Sequence, residues 1–257
     1  NNETKDASSP HWKLSFQLRN IQPQQTKSYP IGNQLFYSNV SMNDNLDSIV
    51  NNPYQHKETK EQVVHIFNEP KFKTSLFQEQ IFLKKGDPFN ESKYYKTLNT
   101  LSSLGAWQQV DGRTTISKDS VFLHYLLTPN IRRSVSFDIE GSKNTGQLLS
   151  GNLLGLSTSL TYKDRNVQRK AISSLTSIRT GIELNLNNNK DPLTQTLLWN
   201  VGHTYVFPNI LIPFSPIHQF QHFNTKSTFS INGSSMKRLD YYDLKSITGA
   251  WGYEWKK

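Results

Sequence analysis

Two histidines in the C-terminal third of the chain, His218 and His222, have the spacing of paired metal ligands on one helix face. Pro213 and Pro216 come directly before them and disfavour a helix there, and the nearby Asn224 is a poor third ligand. The chain has no HExxH motif and no cysteine, which excludes Cys-based zinc sites, iron–sulfur clusters and a cysteine nucleophile. We therefore predict neither a metal site nor a cofactor.

The remaining groups that could do acid–base chemistry have simpler explanations. His65, His124 and His203 alternate with apolar neighbours, which favours packed histidines over catalytic ones. Asp138 and Glu140 share one face of a predicted strand, where lining a wet interior is favoured over acid–base catalysis. The chain has neither a G-x-S-x-G elbow nor a phosphate-binding P-loop. These patterns predict that the protein is not an enzyme.

The chain is basic, with 29 Lys and Arg against 20 Asp and Glu among 257 residues. The densest basic run is KDRNVQRK at 163–170. Nucleic-acid binding is one interpretation, but the run lacks the interleaved aromatic residues on which bases stack. A solvated turn between two strands, facing the periplasm or lipid headgroups, is the favoured interpretation, and we predict no nucleic-acid partner.

After Pro129 the hydrophobic pattern has a period of two residues and predicts β-strands only. The run LLGLSTSLTY at 153–162 places Leu154, Leu156, Leu160 and Tyr162 on one face, and glycine and serine on the other. About six such strands are predicted. Their ranges are 134–141, 153–162, 177–186, 196–207, 223–232 and 239–255.

The second face of these strands is small and polar, with scattered opposite charges such as Arg179 and Glu183. This chemistry is typical of a barrel lumen, with the apolar face meeting lipid. A set of aromatic residues would then form an interfacial girdle, namely Tyr162, Trp199, Tyr205, Phe207, Trp251, Tyr253 and Trp255. An ordinary antiparallel β-domain with a dry core is the alternative. About six strands cannot close a water-filled barrel, so further strands, another chain or a different fold is required.

The N-terminal half has a mixed pattern. Residues 1–30 are polar and predict a tether or the end of a preceding domain, with any export signal removed or outside the chain. Residues 31–130 predict a small α+β domain of order β-α-α-β-β. Its strands are predicted at 34–43, 107–116 and 120–127, with helices from a Ser75–Gln78 capping box to Gly86 and from Asn90 to Gly105, and with 44–61 as a loop or short helix.

The segment KKGDPFNESKYYKTLNTLSSLGAWQQV at 84–110 resembles the last POTRA repeat of the outer-membrane assembly barrels, the BamA and TamA superfamily of the bacterial surface antigen type. The later runs DIEGSKNTG, LLGLSTSLTYKDRN, TGIELNL, FPNILIPF and GYEW resemble the first strands of that family's barrel. The likeness covers roughly residues 35–257 and is closest to the Bacteroidota TamA-like variety. It implies a POTRA domain at 31–130 and the N-terminal part of a transmembrane β-barrel at 131–257.

The chain departs from the family in two ways. After Arg165 and Asn166 the family usually continues with an aromatic residue and a Gly-Ala-Glu-like stretch, whereas this chain has VQRKA at 167–171. We therefore do not infer for this chain any role that the family assigns to that stretch. The family barrel has about sixteen strands, so this chain resembles only its first part, and we expect a fragment or a truncated relative.

The resemblance implies a non-enzymatic component for outer-membrane protein assembly or translocation in a Gram-negative bacterium, with the POTRA part in the periplasm. Clients would be unfolded outer-membrane or secreted proteins bound by β-augmentation, and outer-membrane lipid, other assembly subunits or the rest of the barrel would be further partners. A soluble ligand- or nucleic-acid-binding β-protein is the alternative. The candidate client edges are the strand at 107–116, with Trp107, Gln109, Val110 and Thr114, and the strand at 134–141, with Ser134, Ser136 and Asp138.

Overall fold

The computed structural model describes residues 29–51, 56–144, 153–185, 193–211, 224–239 and 241–256. The predictions for residues 1–28 and for His218 and His222 lie outside the described residues. Across the described ranges, no helix combines the length and the apolar character that crossing a bilayer would require.

Three helices and eleven strands form in this part of the chain. In order they are β1 (Ile31–Tyr37), α1 (Leu46–Asn51), β2 (His56–Lys60), β3 (Val63–Phe67), α2 (Thr74–Gln80), α3 (Glu91–Ser103), β4 (Trp107–Ser117), β5 (Ser120–Pro129), β6 (Arg133–Asn144), β7 (Leu153–Val167), β8 (Ile172–Asn185), β9 (Thr194–Phe207), β10 (Asn224–Arg238) and β11 (Tyr242–Lys256).

The strands β1 to β5 form the first sheet, in the order β2-β3-β1-β5-β4. The central strand β1 runs parallel to β3 and β5, while the two outer hairpins are antiparallel. The predicted order β-α-α-β-β is therefore wrong, because it omits β2 and β3, whereas α1 lies in the segment 44–61 that was predicted as a loop or short helix. The sequence signal for these two strands was weak, because all five residues of β2 are exposed and polar, and β3 is only five residues long.

The two longer helices differ in how well their ends were predicted. Asn90 caps α3, its side chain accepting a hydrogen bond from the Lys93 amide at 3.0 Å, and Gly105 follows the helix with a φ of +68°. The predicted Ser75–Gln78 capping box of the other helix is wrong, because α2 begins at Thr74 and its N-cap residue, Lys73, makes no side-chain hydrogen bond. The predicted end at Gly86 is also wrong, because α2 ends at Gln80. The chain becomes extended there, and the Leu83 carbonyl accepts a hydrogen bond from the Gln34 side chain at 2.8 Å. A tertiary contact thus outweighs local helix propensity.

Helices α2 and α3 supply one side of the main core of the first sheet. Phe36 of β1 stacks between Phe77 of α2 and Tyr125 of β5, with ring centroids 4.8 and 4.5 Å apart. Gly112 lets α3 approach β4 closely, since a Cβ atom there would lie 2.1 Å from the Tyr94 hydroxyl. A second, smaller apolar cluster contains Ile49 of α1 and residues of the sheet that do not belong to the main core.

Two histidines are buried in the first sheet. The His65 ring lies between the Ser38 hydroxyl at 2.7 Å and the Thr74 hydroxyl at 3.2 Å. The His124 ring lies between the Tyr37 hydroxyl at 3.1 Å and the Thr115 hydroxyl at 2.9 Å. Burial lowers the pKa of each histidine to about 4. Both rings are therefore neutral hydrogen-bonding groups at neutral pH.

The strands β6 to β11 form the second sheet, an antiparallel meander in which each strand pairs with its neighbour in sequence. The six predicted strands are present, and each is 12–15 residues long. The sheet is not closed within the described residues, because β6 and β11 lie at its two edges.

The buried histidines predict acid sensitivity of the first sheet. Because the folded pKa of His124 is about 4 and its ordinary value is 6.5, the unfolded chain binds the extra proton between these pH values. The free energy of unfolding should therefore fall as the pH drops from 6.5 to about 4, by at most about 1.4 kcal/mol per pH unit for each histidine. Hydrogen exchange of β1 and β5 amides across this range measures the loss.

The matched variant is His124→Asn, which cannot take up the proton. It should be less stable at pH 7 but should lose less stability on acidification than the wild-type chain. An equal dependence on pH in both proteins would contradict the assignment.

Candidate functional site

The register of the second sheet separates an apolar face from a polar one. Leu160 lies between Phe137 on β6 and Ile178 on β8, and Ile178 pairs with Val201 on β9. These four side chains are 41–62% exposed. The described residues therefore do not enclose the apolar face in a protein core, which disagrees with the dry-core interpretation.

All seven predicted girdle aromatics lie on this apolar face, as the pairing from β7 across to β11 shows. Six of them lie toward the end of the sheet that contacts the first sheet, here called the junction end. These are Tyr162 on β7, Tyr205 and Phe207 on β9, and Trp251, Tyr253 and Trp255 on β11. Trp199 differs, because it sits in the middle of β9.

The polar face carries a cross-strand network. Arg179 of β8 reaches across β7, donating to Glu140 of β6 at 2.7 Å and to Ser157 of β7 at 3.2 Å. The Ser159 hydroxyl donates to the Asp138 carboxylate at 3.2 Å, and the Thr196 hydroxyl donates to Glu183 at 2.6 Å. Asp138 and Glu140 thus accept hydrogen bonds from neighbouring strands, and the network ties the edge strand β6 to β7 and β8.

The first set of candidate edge residues lies on β4, which is an edge strand of the first sheet. Trp107 is only 5% exposed, and its ring centroid lies 4.0 Å from that of Phe72. Its side chain therefore belongs to the core and is not available to a client. Gln109 and Thr114 are exposed, and Val110 is half-buried.

The second set lies on β6, the edge strand of the second sheet that is first in sequence. Ser134, Ser136 and Asp138 point to the polar face, opposite Lys163, Thr161 and Ser159 of β7. The Ser134 hydroxyl accepts a hydrogen bond from Arg165 at 3.1 Å. Client binding at either edge stays a prediction.

The basic run at 163–170 includes a turn between two strands, β7 and β8, as predicted, and Gln168 and Arg169 in this turn are exposed. The segment 168–171, here called the junction turn, packs against the first sheet, with Asn166 and Ala171 only 5% and 3% exposed. The Asn166 amide donates to the Lys71 carbonyl at 2.8 Å, and the Lys73 amide donates to the Arg169 carbonyl at 2.9 Å. The prediction did not include these contacts with the first sheet, because partners this far apart in sequence leave no local pattern.

The conformation of the junction turn is unusual for its residues. Gln168, Arg169 and Ala171 have φ values of 56°, 64° and 54°, in the left-handed region. The Asn166 side chain supports this turn by accepting a hydrogen bond from the Ala171 amide at 3.0 Å. The one available signal was Ala171, an apolar residue that directly follows the basic run.

Two further contacts fasten the sheets together. Asn209, after β9, accepts a hydrogen bond from Gln80 at 2.9 Å and donates one to Glu79, both in α2. The Lys226 ammonium of β10 donates to the Ser103 carbonyl at the end of α3 at 2.9 Å. The junction end of the second sheet is thus bound to both long helices.

A cleft of about 660 Å³ opens between the sheets beside the junction turn. It is here called the junction cleft, and its walls carry four basic side chains, Lys71, Arg132, Arg165 and Arg169. Phe72, Pro129 and Ile131 are among its apolar wall residues. The described ranges hold no group of three or more His, Asp or Glu side chains arranged to bind a metal ion.

No protein-family model matches the sequence, and no curated protein matches it significantly. The solved structures that align with the chain include BamA from Haemophilus ducreyi lacking POTRA domains 1-3, at 11% identity and a TM-score of 0.35. They also include CdiB from Acinetobacter baumannii, at 8% identity and a TM-score of 0.37. The alignments cover 79% and 95% of this chain, but 48% and 62% of the respective neighbours. At these TM-scores neither alignment establishes a shared function.

The junction turn yields a prediction about the role of Asn166. Asn166→Ala leaves the Lys71 carbonyl and the Ala171 amide without their partner, which costs about 1–3 kcal/mol when such groups are buried. Hydrogen exchange of the Lys73 and Ala171 amides should therefore accelerate by roughly 5- to 150-fold if it proceeds through local opening. Gln168→Ala, which removes an exposed side chain from the same turn, is the control. Equal protection in the two variants would contradict this role.

Proposed function

We propose that residues 131–257 are the N-terminal part of an outer-membrane β-barrel wall, and that residues 31–130 form its periplasmic POTRA-like domain. The protein would assemble or translocate client proteins and would do no bond-making chemistry. The observation that carries this proposal is the second sheet, six long antiparallel strands with an uncovered apolar face opposite a polar one.

The chemistry of the two faces supports a membrane position. Soluble monomers rarely expose contiguous apolar patches beyond a few hundred Å². Here the exposed apolar side chains continue across every strand of the sheet, from Phe137 on β6 to Trp251 on β11. A face of this kind suits hydrocarbon, while the charged network of Glu140 and Arg179 suits a wet interior.

The positions of the aromatic residues are consistent with one interfacial band. The six that lie toward the junction end would sit at the level of the periplasmic headgroups, where amphipathic rings are favoured. Tyr253 has the polar contact expected there, because its hydroxyl donates to the Leu211 carbonyl at 3.1 Å. Trp199 would face the hydrocarbon instead.

The two edges of the first sheet differ in their suitability for β-augmentation. β2 has five exposed residues, of which Lys57, Glu58 and Lys60 are charged, and charged edges discourage pairing with a further strand. β4 is eleven residues long and includes a run of uncharged residues at 114–117. We therefore assign client binding to β4 in the first sheet and to β6 in the second sheet.

A matched pair of arginine substitutions tests the membrane assignment. Leu160 and Thr161 are neighbours on β7 that point to the apolar and polar face, respectively. Leu160→Arg should weaken folding into phospholipid vesicles by about 2–4 kcal/mol, the cost of a cation on the lipid face near the midplane. Thr161→Arg should fold into the vesicles nearly as well as the wild-type chain.

Urea titration of the vesicle-bound protein measures both effects. Equal folding of the two variants would count against a lipid-facing surface. A folded, monodisperse wild-type protein without detergent or lipid would favour the soluble alternative.

Disulfide scanning tests the client edges, and the absence of native cysteine makes each introduced thiol unique. The probe is an extended peptide with alternating apolar and polar residues and one cysteine, moved stepwise along its length. Thr114→Cys on β4 and Ser136→Cys on β6 should form disulfides with a two-residue periodicity, because paired strands bring alternate Cβ atoms within reach.

The controls are Thr59→Cys on the charged edge strand β2 and Ser230→Cys on the interior strand β10. Both should form little disulfide. Yields without periodicity, or a yield at Thr59→Cys equal to that at Thr114→Cys, would rule out the assigned edges.

A further inference from the structure

We propose that the junction cleft binds a phosphate-bearing amphiphile, with Arg165 and Arg169 holding the phosphate and the apolar wall of the cleft holding the adjoining chain. If this amphiphile is identified as a membrane lipid, that identification rests on the proposed function. The phosphate site itself rests on the geometry of the cleft.

The size of the cleft suits a headgroup. Its volume of about 660 Å³ lies within the range of roughly 300–1,000 Å³ that is typical of small-molecule sites. Four parts of the chain line it, namely 69–72 before α2, Ala106 before β4, 129–132 from the end of β5 to the start of β6, and Arg165, Asn166 and Arg169 around the junction turn. Because two of these segments are joined by backbone hydrogen bonds, the cleft is built into the fold.

Two guanidinium groups in the cleft have spare donors. Nη1 of Arg165 donates to the Ile131 carbonyl and the Ser134 hydroxyl, both at 3.1 Å. Nη2 of Arg169 donates to the Phe72 carbonyl at 3.3 Å. In the part of the chain that the structure describes, the other guanidinium nitrogens of both residues have no hydrogen-bond partner. Each side chain is thus anchored by one nitrogen and can offer others to an anion.

The nearby carboxylates do not neutralise these two arginines. Asp164 accepts hydrogen bonds from Arg132 at 3.3 Å and from Arg133 at 3.2 Å, so those arginines balance its charge. Glu69 pairs with Lys71 at 3.1 Å. Arg165 and Arg169 therefore remain as a net positive site beside the cleft, where a phosphate would gain charge-assisted hydrogen bonds.

The apolar lining of the cleft favours an amphiphile over a free anion as the ligand. Ile131 is 74% exposed on the wall of the cleft, close to the buried ring of Phe72 and to Pro129. Ile131 lies two residues before β6, and the first apolar side chain on the apolar face of β6 is Val135. A chain attached to the phosphate would cover Ile131, and in a membrane it would continue along the apolar face.

The test is the binding of short-chain lipids to the full chain in non-ionic detergent, measured by calorimetry. The probes are dihexanoyl phosphatidylglycerol, dihexanoyl phosphatidylcholine and inorganic phosphate. We expect phosphatidylglycerol to bind best, because it carries both a net negative phosphate and acyl chains. The double variant Arg165→Gln/Arg169→Gln should bind it at least tenfold more weakly, about 1.4 kcal/mol.

Two further variants keep the test decisive. Lys57→Gln/Lys60→Gln removes the same charge from β2, none of whose residues lines the cleft, and should bind as the wild type does. Arg165→Lys/Arg169→Lys retains the charge and should bind phosphatidylglycerol more tightly than the glutamine variant does. This comparison holds even if the glutamine variant folds poorly.

Equal binding by the wild type and the Arg165→Gln/Arg169→Gln variant would overturn the site. Phosphate binding as tight as that of phosphatidylglycerol would overturn the amphiphile in favour of a soluble phosphate. Both outcomes are independent of the proposed function, since the vesicle-folding and disulfide experiments use other residues. A failure of those experiments would leave the phosphate-binding result unchanged.

Discussion

The uncovered apolar face of the second sheet is the constraint on which the other features depend. Side chains such as Phe137, Ile139 and Leu160 each gain roughly 1.5–3 kcal/mol when they are fully buried, and the described residues leave them 45–66% exposed. A hydrocarbon surrounding would supply the missing contact without any additional protein core. The polar face has the opposite requirement, since its charged and hydroxyl groups need water or each other.

The same constraint gives the sheet edges their importance. In hydrocarbon an unpaired backbone amide or carbonyl costs several kcal/mol, so an open strand is tolerated only where another strand can pair with it. The network from Arg179 to Glu140 holds β6 to its neighbours on the polar face and leaves its outer edge unpaired within the described residues. In the first sheet, the charged side chains of β2 discourage pairing with a further strand, which leaves β4 as the edge better suited to such pairing.

The junction holds the two sheets together. The junction turn, Asn209 and Lys226 fasten the second sheet to the first at three separate places. Because these contacts include buried side chains and backbone atoms, the first sheet is held against one end of the second. The same packing creates the junction cleft and brings its basic residues together from distant parts of the sequence.

Local sequence determined much of this protein. Period-two alternation identified all six strands of the second sheet and assigned their faces, because a strand turns successive side chains to opposite sides wherever it pairs. Asn90 and Gly105 identified α3, since caps act within one turn of the helix. These features depend on neighbours in sequence, and the sequence therefore carries them.

Tertiary structure decided the rest. The charged strand β2 forms only because β3 pairs with it, and α2 ends early because Gln34 binds the carbonyl of Leu83. Trp107 is part of the core rather than a client contact because Phe72 packs on its ring. The packing of the junction turn against the first sheet includes the bond from Asn166 to Lys71, two residues 95 positions apart. No short window of sequence contains both partners of the last three contacts, so only the folded chain could show them.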